Sequence, residues 1–142
     1  MSVDRFTLEK PYPTRLKILE IGGTVLFPKG LLPLVLTDPH HIRIVEASLK
    51  RRRLLGVIQR RPDGLGHGLY GTGCLARIVM FTEASPQKII VFLAGIARFS
   101  LVVDDTLGDD EKRVTYRPYQ EAQDDDVVQN HLPVDRDILL NL

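Results

Sequence analysis

The 142-residue chain is long enough for one domain with its own core, and its single cysteine, Cys74, excludes an internal disulfide bond. Its first residues carry Asp4 and Glu9 without the apolar stretch of a signal peptide, and no run of about 18 uncharged apolar residues occurs, so we expect a cytoplasmic protein without a membrane span. The net charge is only +1, which excludes the strong basic excess typical of nucleic-acid-binding proteins, although residues 1–71 carry 12 Lys and Arg against 6 Asp and Glu.

The chain begins with an irregular segment that leads into a strand. Residues 1–14 contain Pro11 and Pro13 and show no hydrophobic period, so we predict an N-terminal arm. From Arg15 to Ile21 the residues partly alternate between apolar and polar, which predicts the first strand and the start of the folded domain.

Two short apolar runs follow, Val25–Phe27 and Leu31–Leu36. Between them, Pro28 fixes one backbone angle and Gly30 permits the left-handed region, so the chain is predicted to turn there. Both runs are too apolar to face water, and we expect them in the core. Pro33 interrupts the second run and cannot donate a hydrogen bond to a ladder, so this run is predicted to form an edge strand or to begin after the proline.

The segment Thr37–Arg53 predicts the one helix of the chain. Asp38 is placed to cap its N-terminus, and Pro39 occupies the first helical position, where a missing N–H costs nothing. Apolar residues then recur at helical spacing on one face: Ile42, Val45 and Leu49. Cations crowd the C-terminal end, where they complement the helix dipole.

Apolar segments after the helix predict further strands, and glycines mark the bends between them. These segments are Leu54–Gln59, Cys74–Thr82, Lys88–Ala94, Ile96–Val103 and Val114–Tyr119. A glycine-rich loop, Arg60–Gly73, separates the first two, and Gly95 allows a bulge between the third and the fourth. Glu121–Asn130 is polar and acidic and predicts a linker, and Asp135–Leu142 starts an apolar helical pattern.

This order of elements predicts a mainly β fold of the α+β class. Six or seven strands at this spacing favour a closed or partly closed antiparallel barrel with one inserted helix over βαβ units. We expect the barrel domain to extend over residues 15–120, preceded by the arm at 1–14. Residues 121–142 are predicted to form an acidic linker and the start of a helical part.

No motif of the chain forms a complete catalytic, cofactor or metal site. The segment Gly66–Gly71 matches G-x-G-x-x-G, but a strand pattern follows it, whereas a dinucleotide site requires a helix. Cys74 has no neighbouring base or helix N-terminus that would lower its pKa, so we expect a small buried side chain. The four histidines lack the spacing of metal ligands. We therefore predict no cofactor, no metal and no enzymatic activity.

Cations cluster at the end of the predicted helix and at the end of the strand that follows it. The cluster consists of Lys50, Arg51, Arg52, Arg53, Arg60 and Arg61. If the two ends meet, these side chains form a basic patch able to bind phosphate or an acidic peptide. Aromatic side chains that stack on bases are missing nearby, so nucleic acid is not the favoured partner.

Four segments agree in order with one known family pattern. They are TVLFPKGLLPL at 24–34, Asp38-Pro39 at the start of the helix, LYGTGCLARIVMF at 69–81 and IIVFLAGIARFSLV at 89–102. The chain therefore resembles the N-terminal substrate-binding domain of Lon-type ATP-dependent proteases, and the stand-alone bacterial proteins that keep only this domain. It departs from the pattern at Lys17–Gly22, where the family usually has prolines, and at Val35–His41, where only the acid and the proline of H-I-F-E-P-R-Y are kept.

The resemblance implies a pseudobarrel similar to the PUA superfamily, followed by a helical part. In full-length Lon proteases this domain helps to capture protein substrates and supports assembly, whereas separate ATPase and Ser-Lys peptidase domains, for which this sequence has no motif, carry the chemistry. We therefore expect a non-enzymatic module that binds unfolded or peptide segments of other proteins, with an ATP-dependent protease and a second copy of the chain as further candidate partners. The candidate peptide-binding surface consists of Phe27, Leu31, Leu32, Pro33 and Leu36.

Two alternatives stay open beside this expectation. The PUA-like architecture together with the basic patch is compatible with an RNA-binding module, whose affinity would fall steeply with salt. A structural or adaptor role through self-association is the third interpretation, with the segment around Leu139, Leu140 and Leu142 completing a partner.

Overall fold

Six strands and one helix make up the described part of the chain, which in this computed structural model covers residues 4–59, 71–104, 106–108 and 111–116. In chain order they are β1 (Arg15–Ile21), β2 (Leu31–Leu36), α1 (Pro39–Leu49), β3 (Leu54–Gln59), β4 (Thr72–Ser85), β5 (Lys88–Val102) and β6 (Glu111–Tyr116). Most of the predicted glycine-rich loop, Arg60 and Arg61, the acidic linker and the C-terminal helical pattern lie outside these residues.

The strands form one sheet that closes into a barrel. Their order is β2-β5-β4-β3-β1-β6, and β6 also pairs with β5, so β1, β3, β4, β5 and β6 complete a ring. The strand β2 pairs with the first half of β5 and forms an edge of the described sheet, as Pro33 predicted. The barrel is confirmed, but it is not wholly antiparallel: β1 and β3 are parallel, because β2 and α1 lie between them and form a crossover.

The two segments predicted as separate strands on either side of Gly95 form one long strand, β5. The pairing of β5 with β4 shifts by one residue at this point, which leaves Ile96 as the extra residue of a β-bulge. A Cβ atom at position 95 would overlap the backbone carbonyl of Phe27, so the close approach of the two segments requires glycine. The bulge predicted at Gly95 is therefore confirmed.

A tight turn separates the two apolar runs before and within β2, as predicted. The N–H of Gly30 donates to the carbonyl oxygen of Phe27 at 2.9 Å, with Pro28 and Lys29 as the central residues. Lys29, and not Gly30, occupies the left-handed region, with φ of 69°. The glycine instead permits close approach, because a Cβ at Gly30 would lie 3.0 Å from that carbonyl oxygen.

The helix α1 begins where it was predicted and ends earlier, at Leu49 instead of Arg53. The N–H of His40 donates to Oδ1 of Asp38 at 2.8 Å, and this bond lowers the pKa of Asp38 because the ionised carboxylate is the better acceptor. Arg52 and Arg53 have φ of 65° and 60°. This left-handed backbone terminates the helix and turns the chain into β3.

Two hydrophobic clusters lie on opposite faces of the sheet. Neighbouring residues of β1 alternate between them, with Leu16 and Ile18 in one cluster and Leu19 and Ile21 in the other. The first, the ring cluster, takes residues from all five strands of the ring: Leu16, Ile18, Leu54, Ile58, Leu75, Ile96, Phe99 and Val114. The second, the helix cluster, packs α1 against the sheet and includes inward-facing residues of β5.

The expectation that both apolar runs lie in the core is wrong for five of their nine residues. Leu26 and Leu36 are buried in the helix cluster. Pro33 is exposed, and four further side chains have exposed fractions between 43% and 58%: Val25, Phe27, Leu31 and Val35. The reason is that an edge strand directs alternate side chains to opposite faces, and only one of these faces is covered here.

Residues 4–14, the described part of the predicted arm, lie against the barrel. Leu8 and Tyr12 pack on the ring cluster. The hydroxyl of Tyr116 donates to the carbonyl oxygen of Pro13 at 2.6 Å, and burial raises the pKa of Tyr116. These contacts connect the arm with β6, the strand that closes the ring.

Candidate functional site

The structure divides the predicted peptide-binding surface between two environments. Leu31 and Pro33 are exposed, and so is Phe27, which precedes β2. Leu32 is half-buried against the helix cluster, and Leu36 belongs to that cluster with 6% of its surface exposed. Leu36 is therefore removed from the candidate surface, because successive side chains of a strand point to opposite faces and Leu36 points inward.

A larger apolar surface lies on the outward side of β2, β5 and β4. Directly paired residues of neighbouring strands share a face, so the register assembles three rows across these strands. The members of these rows that reach the surface form the outer face: Val35, Ile90 and Thr82; Pro33, Phe92 and Met80; and Leu31 and Arg77. Ala94, which lies between Leu31 and Arg77, is fully buried. Two residues of the predicted surface, Leu31 and Pro33, lie on this face. The residues of β4 and β5 were not predicted, because only the strand register brings them next to β2.

The outer face is almost free of charge. Six of its eight residues are apolar, and Val35 exposes 58% of its surface. Arg77 stands at one corner, where its Nη1 donates to the carbonyl oxygens of Asp4 and Arg5 at 3.3 and 3.2 Å and so connects the arm to β4. Three strands and three alternate rows span roughly 10 by 14 Å, the footprint of about four or five residues of an extended polypeptide. A patch of this size is small for an interaction site, but it is large enough for the apolar side chains of a short extended segment.

The strand β2 also has a backbone edge without a strand partner in the described residues. The N–H of Gly95 donates to the carbonyl oxygen of Gly30 at 2.8 Å. Hydrogen-bonded and non-hydrogen-bonded pairs alternate along an antiparallel ladder, so Leu31, Pro33 and Val35 direct their backbone groups away from β5. Pro33 therefore interrupts no hydrogen bond of the sheet, and it removes one donor from the free edge.

A cavity of about 230 Å³ lies between the segment that precedes β2 and the ring. Its walls combine the exposed apolar side chains of Val25 and Phe27 with the polar side chains of Gln59 and Thr72. Arg98 of β5 also lines the cavity, and its guanidinium carbon lies 5.6 Å from the centre of the Phe27 ring, within the range of a cation–π interaction. The sequence prediction included Phe27 and missed Arg98.

Two cations of the predicted basic patch are engaged within the domain. Arg51 forms an ion pair with Glu111 of β6, with Nη1 and Oε2 3.0 Å apart. The Nε of Arg53 donates to the carbonyl oxygen of Ile78 at 2.8 Å. These side chains fasten the turn after α1 to the sheet, and Arg60 and Arg61 of the predicted patch lie outside the described residues.

A different group of cations surrounds a second cavity, of about 310 Å³. Arg51 and Arg52 line it from the turn after α1, and Arg15 and Lys17 line it from β1. Lys50, next to this turn, is exposed and is not among the lining residues. The two β1 residues were not part of the predicted patch, because they are distant in sequence and only the packing of the turn against β1 brings them close.

The single cysteine is buried, as predicted. Cys74 is 1% exposed, and burial raises the pKa of its thiol to about 11, so the thiol is neutral at pH 7. Within residues 4–59, 71–104, 106–108 and 111–116, no group of three or more His, Cys, Asp and Glu side chains is arranged to hold a metal ion. No helix of that same part of the chain is both long and apolar enough to cross a membrane.

Comparison with known families and sequences gives one consistent result. A family model described as the ATP-dependent protease La (LON) substrate-binding domain matches residues 15–137. Lon protease 2 of Sorangium cellulosum is 37% identical over 98 residues, which cover 66% of this chain and 12% of that protein. Lon protease 2 of Myxococcus xanthus is 32% identical over 94 residues, which cover 63% of this chain and 11% of that protein. The chain thus spans only a small part of the length of these relatives.

Solved structures show the same fold. The N-terminal domain of Mycobacterium avium complex Lon protease superposes with a TM-score of 0.62 at 18% identity, over 78% of this chain and 59% of that one. A Lon N-terminal domain protein from Xanthomonas campestris gives a TM-score of 0.58 at 21% identity, over 75% of this chain and 61% of that one.

Proposed function

The chain belongs to the LON substrate-binding domain family, and we propose that it binds segments of polypeptide on the outer face without catalysing a reaction. The observation that carries this proposal is the outer face itself, where exposed and half-buried apolar side chains of three strands form a nearly uncharged surface. The matched family description covers a substrate-binding domain, and no catalytic domain is matched alongside it.

The size of the outer face indicates weak binding of many sequences. Each apolar side chain of a polypeptide that becomes buried there contributes roughly 1.5–3 kcal/mol. Association itself costs about 4 kcal/mol or more, so three such side chains at the upper end of this range leave at most about 5 kcal/mol, a dissociation constant of roughly 0.2 mM, and fewer side chains bind more weakly. Contacts of this kind depend on apolar surface and hardly on sequence, which suits the recognition of unfolded segments.

An ATP-dependent protease is the partner that this proposal implies. The curated relatives that match are Lon proteases, and the chain corresponds to 11–12% of the length of the two described above. We infer that the chain captures polypeptide for a protease of this class and that hydrolysis takes place elsewhere. The neutral, buried thiol of Cys74 supports the absence of a cysteine nucleophile.

The experiment is a titration of the ¹⁵N-labelled protein with reduced, carboxymethylated lactalbumin, a permanently unfolded polypeptide. We expect amide shifts that cluster on β2, β5 and β4, and a loss of affinity of about fivefold for Val35→Ser, which removes one methyl group and replaces the other with a hydroxyl. Val103→Ser is the matched control, since Val103 is 90% exposed and does not belong to the outer face. Absent or scattered shifts at millimolar polypeptide, or equal losses for both variants, would overturn the proposal.

The cavity between β1 and the turn after α1 favours a second candidate function, binding of a phosphate backbone. Arg15, Lys17 and Arg52 line this cavity, and no ion pair of theirs is found in the described part of the chain. Its lining contains no aromatic residue, so such binding would not involve base stacking. Affinity for single-stranded RNA should then fall steeply with salt and be lost in Arg52→Gln; a salt-independent affinity would argue against it.

Self-association is the third candidate, and the free edge of β2 favours it. A second copy could cover the outer face or pair along this edge, although Pro33 removes one of the donors that pairing would use. Sedimentation velocity separates this candidate from polypeptide capture. A protein that stays monomeric at high concentration but binds lactalbumin is not a self-associating module.

A further inference from the structure

Arg98 differs from the other half-buried arginines of the described chain in having no oxygen acceptor. Arg77 donates to two backbone carbonyl oxygens, and Arg113 forms an ion pair with Asp104. For Arg98, no hydrogen bond and no ion pair is found within the described residues, and its contact is with the ring of Phe27. Withdrawing a cation partly from water without an anionic or hydrogen-bonding partner is unfavourable, so this position is suited to a ligand that supplies one.

The geometry of the Arg98–Phe27 pair defines what kind of group would fit. A guanidinium that lies over an aromatic ring uses its face for that contact and keeps its N–H donors, which point along its edges, for an acceptor. A carboxylate takes up two such donors side by side. The position of Phe27 is maintained by the turn that follows it and by the N–H of Lys29, which donates to the carbonyl oxygen of Gly95 at 2.9 Å. The Arg98–Phe27 pair is thus preorganised to bind an anion.

The cavity beside this pair is apolar on one side and small. Val25 and Phe27 contribute exposed apolar surface, and Ile21 and Val57 contribute to its floor. Its volume of about 230 Å³ lies below the range of roughly 300–1,000 Å³ that is typical of small-molecule sites. It can therefore hold about one residue of a polypeptide.

We propose that this cavity binds the C-terminal residue of a polypeptide, with the terminal carboxylate on Arg98 and an apolar last side chain against Val25 and Phe27. A C-terminal residue carries both groups on one Cα atom, whereas an internal acidic side chain and an apolar neighbour would occupy two residues. The inference rests on the proposed binding of polypeptides, but the cavity shares no residue with the outer face. It adds a preference for chain ends to the general affinity for apolar segments.

The test compares three short peptides that share an apolar sequence. The first ends in leucine with a free carboxylate, the second is the same peptide with an amidated C-terminus, and the third is amidated and carries an internal glutamate. Binding of each to the full chain is followed by NMR, including the side-chain Nε–H of Arg98. We expect the free acid to bind about tenfold more tightly than either amidated peptide, the difference that one charge-assisted hydrogen bond supplies.

Two variants assign this difference to the guanidinium. In Arg98→Gln the preference for the free acid should disappear, while Arg43→Gln, which removes an exposed arginine of α1, should retain it. Arg98→Lys should retain only part of it, because an ammonium lacks the paired donors. The shift of the Arg98 Nε–H in the unmodified chain provides a readout that does not depend on the folding of any variant.

The outcomes separate this inference from the proposed function. Equal affinities for the free acid and its amide, an equal preference in Arg98→Gln, or equal binding of the internal glutamate peptide overturns the chain-end site, even if all three peptides bind to the outer face. If no peptide binds and lactalbumin does not bind either, the proposed function itself is overturned. A preference for the free acid that persists when Val35→Ser weakens all peptides supports two separate sites.

Discussion

The two faces of the β2–β5–β4 part of the sheet are made from neighbouring residues of the same strands, and one is closed while the other is open. Along β5, Ile89, Val91 and Leu93 are buried in the helix cluster, whereas Ile90 and Phe92 alternate with them on the outer face. Both sets are equally apolar. The difference lies in what covers them: α1 and β1 contribute to the helix cluster, whereas on the outer face the arm contacts the corner at Arg77, and Leu31, Val35 and Met80 stay 37–58% exposed.

This difference shows that apolar character and burial are separate properties of a strand. A β-branched or aromatic residue favours a strand whether or not something packs against it. An uncovered apolar face therefore contributes little to the stability of the isolated domain and becomes useful when a partner covers it. The comparison predicts that substitutions on the inner face change stability and substitutions on the outer face change binding.

The largest expected effect comes from a matched pair of leucines, one on each face. Leu93→Ala should lower the free energy of unfolding by about 2–5 kcal/mol, because Leu93 is fully buried and its removal leaves a cavity. Leu31→Ala should lower it by less than about 1 kcal/mol, because Leu31 is 43% exposed and its truncation leaves no enclosed cavity. Urea denaturation measures both values. Similar losses for the two variants would mean that the outer face is also covered in solution.

A smaller effect is expected at the free edge of β2. The substitution Pro33→Val tests whether the proline protects this edge from pairing with a strand of another molecule. Valine restores a backbone donor on the free edge and favours strand pairing, so we expect the variant to self-associate more than the original chain. Its unfolding free energy should change by less than about 1 kcal/mol, since Pro33 interrupts no ladder bond. Sedimentation velocity provides the measurement, with Leu31→Ala as a control that leaves the donors unchanged. An unaltered monomer would contradict a protective role of the proline.

The smallest effect is expected at an ion pair that belongs to neither apolar face, Asp104 with Arg113. Hydrogen bonds from Thr106 and Arg113 lower the pKa of Asp104 from 3.8 to about 2. Protons therefore bind more readily to the unfolded chain, and the stabilisation from Asp104 is present above pH 4 and is lost as the pH falls toward 2. Asp104→Asn should be less stable than the original chain at pH 7 and equally stable near pH 2.

Thermal unfolding of both chains at a series of pH values measures how their stabilities become equal toward pH 2. Lactalbumin binding to the outer face, measured between pH 6 and 8 where Asp104 stays ionised, should be the same for the variant and the original chain, because no titrating group of the outer face is involved. A stability difference between the two chains that stays constant down to pH 2 would contradict the role assigned to the Asp104–Arg113 pair.

Much of the fold follows from short stretches of sequence. The bounds of β1 and β3, the cap at Asp38 and the bulge at Gly95 were predicted, because alternation, capping and close backbone approach are all visible within a few residues. The predicted end of α1 at Arg53 was wrong, because the left-handed backbone of Arg52 and Arg53 is not typical of arginine and follows from how the turn packs against the sheet.

The candidate sites were predicted less completely. Leu36 was assigned to the surface and lies in the core, and Val35, beside it, lies on the outer face. A run of successive apolar residues shows no alternation, so it does not indicate which set points inward. The residues of β4 and β5 on the outer face could be found only from the strand register.

The sequence by itself determined where β1, β3, β5 and α1 begin, that Pro33 favours an edge position for β2, and that the chain resembles a family of substrate-binding domains. These properties depend on backbone chemistry and on local patterns: a proline without an N–H, an aspartate at a helix start, alternation of apolar residues. Only the tertiary structure decided which face of the sheet is covered and that Phe27 meets Arg98 beside a cavity. The physical reason is that strand register and ring closure bring together side chains that are far apart along the chain, and no local preference encodes those distances.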